Sequence, residues 1–386
     1  MKKTLIPLLI GLNSCNLNTE PEIHKSIYID VNQASSGVLS EVYEDIDYVF
    51  LDGSGDFPLV RPVRIKVDEG LIGVEDRGIE KYIFYSLDGT PQFQIEASGD
   101  GPGSFVRTED FQILEESIVV KDSYLGKMLT YNHRGGFVSE QKSVVKNSDF
   151  FIGEDFILHY SKNVFDHGLF NFYLERSNEL EKMMPVEPTG EDVAFADKDG
   201  FRKHVWTNQV LFKIPFSYHF AMFEPDGKVK DIYEIDFGEF SLSVKDRNTM
   251  TQEQVNQLLL DGKIVEHISS FYAFKNCYFL SFGRGIRESH QVFLDKDFNV
   301  IKHFKSYKND IDELPIATIP WFATVDQIGY LASSRDFLNQ YLKKFGGGKE
   351  PVKGSNLYNF MVRNGGKLNE DSYVLILLTV KDDIGS

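Results

Sequence analysis

Turn residues that favour positive φ recur along the chain at a nearly constant spacing, and this spacing restricts the possible folds. Five hairpins are recognisable between short runs of alternating apolar and polar residues, with turns at Gly89, Gly135, Asn178, Gly227 and Asn299. Glycine and asparagine recur there because they adopt positive φ at little cost. The first four turns are separated by 46, 43 and 49 residues. Such a period, with about four short strands in each unit, is typical of the blades of a β-propeller.

Six blades account for residues 26–386 as one all-β domain. We predict complete blades at 60–96, 104–142, 148–184, 199–237 and 265–306, and a sixth that begins at 320–334 and resumes at 371–381. The sixth blade lacks one strand, which either SIYIDV (26–31) or DYVFL (47–51) supplies from the N-terminal part. Closing the ring in this way leaves no open sheet edge where the two ends of the chain meet.

Two helical insertions interrupt the late blades. The interval between Gly227 and the turn of the fifth hairpin is longer than the others, at 71 residues. It contains TQEQVNQLLLDGK (251–263), in which Thr251 and Gln254 form a capping box and Gly262 ends the helix. A second helix is predicted for RDFLNQYLKKF (335–345), whose apolar residues recur at helical spacing.

The first fourteen residues, MKKTLIPLLIGLNS, have the pattern of a secretory signal peptide, because two lysines precede an apolar run that is too short to span a bilayer. The next residue, Cys15, resembles the lipidated cysteine of bacterial lipoproteins, although a plain signal peptide with an incidental cysteine is the alternative. Residues 15–25 are predicted to tether this lipid to the propeller. We therefore expect an outer-membrane lipoprotein of the cell envelope, on the periplasmic or surface face, that contacts the membrane only through its lipid.

The stretch ASGDGPGSF (97–105) connects the first two predicted blades. Its glycines miss the last position of a dinucleotide-binding fingerprint and no helix follows, so we interpret it as a sharp turn. GDGPGSF, together with EDF (109–111), resembles the glycine signature of six-bladed, NHL-like β-propeller lipoproteins of Bacteroidota. EVYEDIDYVFLDG (41–53) is similar to the segment before the first blade in that family. The resemblance implies an architecture and a location, whereas the activity of the family is largely unassigned.

Composition and motifs narrow the possible partners and chemistry. The formal net charge of −17 makes nucleic acids poor partners. Cys277 lies in an apolar run and is expected to be a buried, inert thiol. The nine histidines form no close metal-binding pair, no G-x-S-x-G motif is present, and the acidic turn at 197–200 has too few carboxylates for a calcium loop. We therefore predict no metal, no cofactor and no catalytic residue.

Loops from several blades form the ligand sites of propellers, so candidate residues are sought in the turns after the second strands and at the start of the sixth blade. Asp76 lies in one such turn. The predicted ligand-binding residues are Arg77, Asp122, Tyr124, Arg284, Arg287, Trp321 and Arg335. Arginines beside aromatic residues bind carboxylates or sugars through forked hydrogen bonds and stacking.

Two functions remain open, and the export pattern and motif content favour the first. It is a noncatalytic protein that binds an unknown protein, peptide or glycan on its ring face. The second is a hydrolase or lyase acting on a glycan or a lactone-like substrate, and a structural subunit of an envelope complex is a third, weaker possibility. Converging carboxylates or histidines at the channel mouth would favour the enzyme, whereas a mixed-charge mouth would favour binding.

Overall fold

Six small sheets surround a common axis and form the blades of a propeller. Their middle strands are buried along most of their length because both faces of a blade pack against neighbouring blades, whereas the outermost strand at Phe137–Lys142 is exposed throughout. The computed structural model describes residues 25–146, 148–161, 170–177, 179–185, 200–243, 246 and 249–384.

The strands of the first half follow the predicted blade boundaries. Three strands precede the first blade: β1 Lys25–Tyr28, β2 Ser35–Val38 and β3 Tyr43–Leu51. Blade 1 contains β4 Pro62–Asp68, β5 Leu71–Asp76, β6 Lys81–Ser86 and β7 Pro91–Ile95. Blade 2 contains β8 Thr108–Ile113, β9 Ser117–Asp122, β10 Lys127–Asn132 and β11 Phe137–Lys142. Blade 3 contains β12 Ser148–Ile152, β13 Ile157–Ser161, β14 Phe170–Arg176 and β15 Glu179–Pro185.

The second half completes the ring. Blade 4 contains β16 Phe201–Lys203, β17 Val210–Lys213, β18 His219–Phe223 and β19 Val229–Asp236. Blade 5 contains β20 Val265–Ala273, β21 Tyr278–Arg284, β22 Glu288–Leu294 and β23 Val300–Lys308. Blade 6 contains β24 Phe322–Ala323, β25 Gln327–Ser333 and β26 Tyr373–Val380, with β3 as its fourth strand. The six-bladed all-β prediction is confirmed.

The N-terminal strand β3 closes the ring. It pairs antiparallel with β26, placing Asp47 opposite Leu377, so the choice of DYVFL (47–51) is confirmed. The alternative, SIYIDV (26–31), is wrong as the closing strand. Most of its residues lie in β1, which instead pairs parallel with β19 as a fifth strand of blade 4. The strand β2 pairs in the same way with β23, and both outer edges are thereby covered.

Both predicted helical insertions are present. Helix α1, Gln252–Leu260, begins with the expected Thr251–Gln254 capping box, and α2 spans Ser334–Phe345. A third helix, α3 at Asn356–Asn364, follows α2 within the same insertion and was not predicted. Short 3₁₀ segments occupy Val31–Gln33, Leu39–Glu41, Gly238–Phe240 and Gly365–Lys367. No helix within the described residues has the length and apolar composition needed to cross a membrane.

The glycine-rich stretch at 97–105 forms the connection between β7 and β8, as predicted. The Gly99 amide donates to the Phe105 carbonyl at 2.9 Å, which folds the loop back on itself. The hydroxyl of Tyr131 donates to the Gly103 carbonyl at 2.9 Å and so fixes the loop to blade 2. Gly103 has a φ of 70°, and a Cβ there would lie 2.7 Å from the Phe137 ring, so both conformation and space require glycine.

Apolar residues fill most of the interfaces between neighbouring blades. Between blades 4 and 5, for example, the rings of Phe220 and Phe271 stack at 4.0 Å. Cys277 is buried in the core near blades 5 and 6, where burial raises its pKa to about 12. The interface between blades 2 and 3 differs, because its buried apolar cluster is small and charged side chains occupy much of the remaining space.

Candidate functional site

Two buried aspartates organise the loops of blades 1 and 2 in the same way. They lie on the face of the ring that carries the turns between second and third strands and the entry of the chain into each blade, which we call the entry face. Asp76, at the end of β5, accepts hydrogen bonds from the backbone amides of Val60, Arg61, Gly78 and Ile79. Asp122, at the end of β9, accepts from the amides of Val106, Tyr124 and Leu125. Each carboxylate therefore joins the entry segment of its blade to the following turn.

A crevice of about 190 Å³ opens on the entry face between blades 1 and 2. We call it the arginine crevice, because Arg61, Arg77 and Arg107 all line it. Glu75 also lines it and is 2% exposed, so its carboxylate forms part of the crevice wall. Arg77 donates from Nε to Glu75 Oε1 at 3.0 Å. Thr108, at the start of β8, lies 3.4 Å from the same carboxylate oxygen.

The other charged groups of the arginine crevice have partners of their own. The amine of Lys81 lies 2.8 Å from the carboxylate of Glu96. Glu80 accepts a hydrogen bond from Ser98 at 3.2 Å, and the carboxylate of Asp76 is occupied by backbone amides. The charge left to face a ligand therefore belongs to the guanidinium groups and to Glu75.

A second cavity, of about 230 Å³, lies on the propeller axis. All six innermost strands, or the residues that follow them directly, contribute to its lining. The guanidinium of Arg202 lies 4.6 Å from the centre of the Tyr272 ring and donates to the Ala323 carbonyl at 3.0 Å. Lys66 and Lys203 also line this cavity, which gives the axial cavity a cationic wall with aromatic neighbours.

Buried charges link the innermost strands of blades 1, 2 and 3. Arg64 on β4 lies 2.5 Å from Asp110 on β8 and 3.4 Å from Asp149 on β12. Lys66 lies 2.7 Å from the same Asp110 oxygen as Arg64. Burial opposes the charge of Arg64, but the nearby carboxylates outweigh it and raise the pKa of the guanidinium. This cluster balances two cations against two anions, and its contacts are ion pairs that tie three blades together.

A buried polar chain crosses the interface between blades 2 and 3. The amine of Lys121 contacts Ser148 Oγ and lies 3.0 Å from His159 Nδ1. The other ring nitrogen of His159 lies 3.0 Å from Glu175. Burial lowers the pKa of Lys121 to about 7, although several carboxylates oppose this shift. A lysine that contacts a serine is one means of activating a nucleophile, but Lys121, Ser148 and His159 are all fully buried.

Two histidines that are distant in the predicted motifs meet in blade 5. His290 Nδ1 and His303 Nε2 are 3.0 Å apart on the neighbouring strands β22 and β23. Burial lowers the pKa of both imidazoles, that of His303 to about 4. Within the described residues, no group of three or more histidine, cysteine, aspartate or glutamate side chains is arranged to hold a metal ion.

Comparison with known proteins identifies the family. A model of the 6-bladed beta-propeller family DUF5128 matches residues 18–328, which is most of the chain. The chain belongs to this family. The membership agrees with the resemblance found in the glycine signature and establishes an architecture, whereas the family description names no activity.

Solved structures share the fold at low sequence identity. A protein of Bacteroides fragilis described as exported is 17% identical, with a TM-score of 0.64 over 92% of this chain and 99% of its own. A Bacteroides vulgatus member of the DUF4221 family is 11% identical, with a TM-score of 0.51 over 89% of this chain and 98% of its own. A search of curated proteins returns no match.

The structure distributes the predicted ligand-binding residues around the entry face. Arg77 alone among them lines the arginine crevice, while Asp122 is buried beneath the neighbouring turn and Tyr124 is 70% exposed above it. Arg284 pairs with Glu288 at 2.8 Å. Their common role in ligand binding stays a prediction.

The remaining predicted residues lie on blades 5 and 6. Arg287 is exposed in the turn after β21, and Trp321 is partly buried against the interface between blades 6 and 1. Arg335, at the start of α2, pairs with Asp371 at 3.0 Å. Cys15, Asn178 and residues 197–199 of the acidic turn lie outside the described residues.

Sequence reasoning missed Arg61, Arg107 and Glu75. A signal for the arginines was present, because Val60-Arg61 and Val106-Arg107 are separated by the same 46 residues as Gly89 and Gly135. The repeat therefore places one arginine at the entry of blade 1 and one at the entry of blade 2. Glu75 gave no such signal, since its counterpart one repeat later is Lys121.

Proposed function

We propose that the protein is an extracytoplasmic, lipid-anchored propeller that binds a protein, peptide or glycan on its ring face without catalysis. The arginine crevice carries this proposal, because it gathers three guanidinium groups on one face of a chain whose net charge is −17. Cationic groups maintained together in an acidic protein favour recognition of an anionic ligand. The predicted signal segment and Cys15 support the location, as does the description of the Bacteroides fragilis protein as exported.

The alternative, a hydrolase or lyase, would need a nucleophile or base that substrate can reach. The contact between Lys121 and Ser148 is the arrangement that most favours it. Both side chains are fully buried between blades, so a substrate cannot approach them without separating those blades. We therefore favour binding over catalysis.

A ligand screen by thermal shift tests the proposed function. A ligand that binds only the native state raises the melting temperature in proportion to its saturation. We expect a hit from a library of glycans and peptides that is lost in Arg77→Gln, because this change removes the guanidinium while leaving the protein folded. Arg134→Gln, on the exposed outer turn of blade 2, is the matched control.

Two outcomes would count against the proposal. One is a library without any hit, and the other is a hit whose stabilisation is equal in wild type and in Arg77→Gln. The location is tested separately by metabolic labelling with a fatty acid, where Cys15→Ala is expected to abolish incorporation.

A further inference from the structure

Glu75 leaves one buried carboxylate oxygen without a hydrogen bond. Its Oε1 accepts from Arg77 Nε at 3.0 Å and from Thr108 Oγ1 at 3.4 Å. Its Oε2 is inaccessible to solvent and has no partner within the described part of the chain. A buried acceptor left unpaired is costly, more so when it carries charge. Because Glu75 lines the arginine crevice, the group that this oxygen lacks is a hydrogen-bond donor supplied from the crevice.

Two guanidinium groups beside Glu75 keep donors for a ligand. Arg77 uses Nε for Glu75, and its two Nη atoms make no hydrogen bond to described residues. Arg107 is 72% exposed, and its Nε lies 3.6 Å from Glu109. A free fork of this kind binds a carboxylate through two parallel hydrogen bonds. The crevice therefore offers a buried acceptor, an adjacent donor and a second, exposed donor fork.

This arrangement matches the chemistry of an acidic sugar. A sugar hydroxyl donates one hydrogen bond and accepts others, so one hydroxyl can satisfy Glu75 Oε2 while accepting from Arg77. A carboxylate on the same ring suits Arg107. A peptide carboxyl terminus also carries a carboxylate, but its single N–H does not accept in return. The volume of about 190 Å³ is below the roughly 300–1,000 Å³ of pockets that enclose whole drug-sized ligands, which fits a single sugar residue.

We propose that the arginine crevice binds a uronic-acid residue of a glycan. Glu75 and Arg77 hold its hydroxyl groups, and Arg107 holds its carboxylate. This inference rests on the proposed function and adds to it the class of ligand and the role of each residue.

Binding of three small probes to the full chain tests the ligand class. We would measure D-glucuronate, D-glucose and N-acetylalanine by ligand-observed NMR titration at millimolar concentration. The expected order is D-glucuronate first, D-glucose weaker by at least about tenfold, and no measurable binding of N-acetylalanine.

Variants separate the two parts of the crevice. Arg107→Gln should lower the affinity for D-glucuronate to that for D-glucose and leave D-glucose unchanged. Glu75→Gln should weaken both sugars at least about tenfold, because the amide replaces an acceptor with a donor. Arg134→Gln should change neither. A melting curve of each variant checks its fold, and Glu75→Asp replaces Glu75→Gln if the latter unfolds.

Three results would overturn the inference: no binding of D-glucuronate, equal binding of both sugars, or tighter binding of N-acetylalanine. The last would leave the proposed function intact, because it would still place a ligand in the crevice. Failure of the proposed function itself has a different signature, namely ligands from the thermal-shift library that are insensitive to Arg77→Gln.

Discussion

The position directly before the buried aspartate of the second strand carries a charge in both blade 1 and blade 2. In blade 1 it is Glu75, and in blade 2, 46 residues later, it is Lys121. Both side chains lie in the interface with the following blade and are almost fully buried. Similar backbone positions therefore hold opposite charges, and the surroundings differ accordingly. Glu75 borders a crevice, whereas Lys121 is enclosed by Ser148 and His159.

Lys121 makes stability depend on pH above neutrality. Its pKa is about 7 in the folded protein, against about 10.4 for a free lysine. Between these values the unfolded chain binds more protons than the folded one, so the free energy of unfolding rises with pH across this window. Lys121→Met removes this dependence. Its stability relative to wild type should fall between pH 7 and pH 10, by at most about 1.4 kcal/mol per pH unit.

Urea unfolding at several pH values measures this difference. Lys142→Met, an exposed lysine on β11, controls for the loss of a positive charge. If the stability of Lys121→Met stays a constant amount from that of wild type across the range, the buried amine does not release its proton near neutrality.

Asp122 illustrates what residue types alone reveal about the site. Its place after a second strand was predictable, but its carboxylate proves to accept three backbone amides. Nothing in the residue type separates an aspartate that caps a loop from one that faces a ligand. Arg77 was predictable by the same reasoning, and its proximity to Arg107 was not, since that contact depends on how two blades pack.

At the scale of elements, the outer hairpin of each early blade touches the preceding blade. A Cβ on Gly89 would lie 2.1 Å from the Phe50 carbonyl oxygen in β3, and one on Gly135 would lie 2.4 Å from the Gln94 carbonyl oxygen in β7. The sequence predicted these glycines as turn residues from their need for positive φ. It did not predict the contact with the preceding blade, because that contact exists only once the blades are packed.

Alanine substitution separates the two requirements. Gly89 has a φ of 86° and little space for a side chain, whereas Gly70, with a φ of 73°, has no neighbour within 4 Å of a Cβ. Gly70→Ala should therefore cost about 1–2 kcal/mol for the left-handed backbone alone. Gly89→Ala should cost clearly more, because the hairpin must also move away from β3. Urea unfolding of both variants measures the difference, and equal losses would contradict a close contact between the blades.

Helix α3 shows why one element was missed. Its sequence, NLYNFMVRN, contains asparagine, valine and aromatic residues, which favour helix only weakly. The helix is held instead by its environment, because Leu357 and Phe360 are buried in the core of blades 5 and 6. The amide of Asn356 also donates to Asp47 at 2.7 Å on β3. Tertiary packing of this kind leaves no periodic signal, unlike the capping box that made α1 predictable.

At the scale of the whole molecule, the N-terminal part contributes strands to three blades. The hairpin rhythm predicted that one segment would close blade 6, which β3 does. It gave no indication that β1 and β2 would join blades 4 and 5, because these strands pair in parallel with strands distant in sequence and no turn connects them. Antiparallel neighbours leave a local signature, whereas parallel additions at an edge do not.

Buried histidines make the whole ring sensitive to acid. Burial lowers the pKa of His204 and of His303 to about 4, and it also lowers the pKa of His219 and His290. In the unfolded chain these groups titrate near 6.5. The folded protein therefore binds fewer protons between pH 6.5 and pH 4, so its stability is lost as the pH falls through this range. His204 lies between blades 4 and 5, with Nε2 2.9 Å from the Tyr278 hydroxyl, so its protonation acts directly on their interface. The double variant His204→Gln, His303→Gln should lose less stability than wild type between pH 7 and pH 4.5 in urea unfolding, with His133→Gln as the control for the substitution. Equal losses in wild type and the double variant would assign the acid sensitivity to the carboxylates instead.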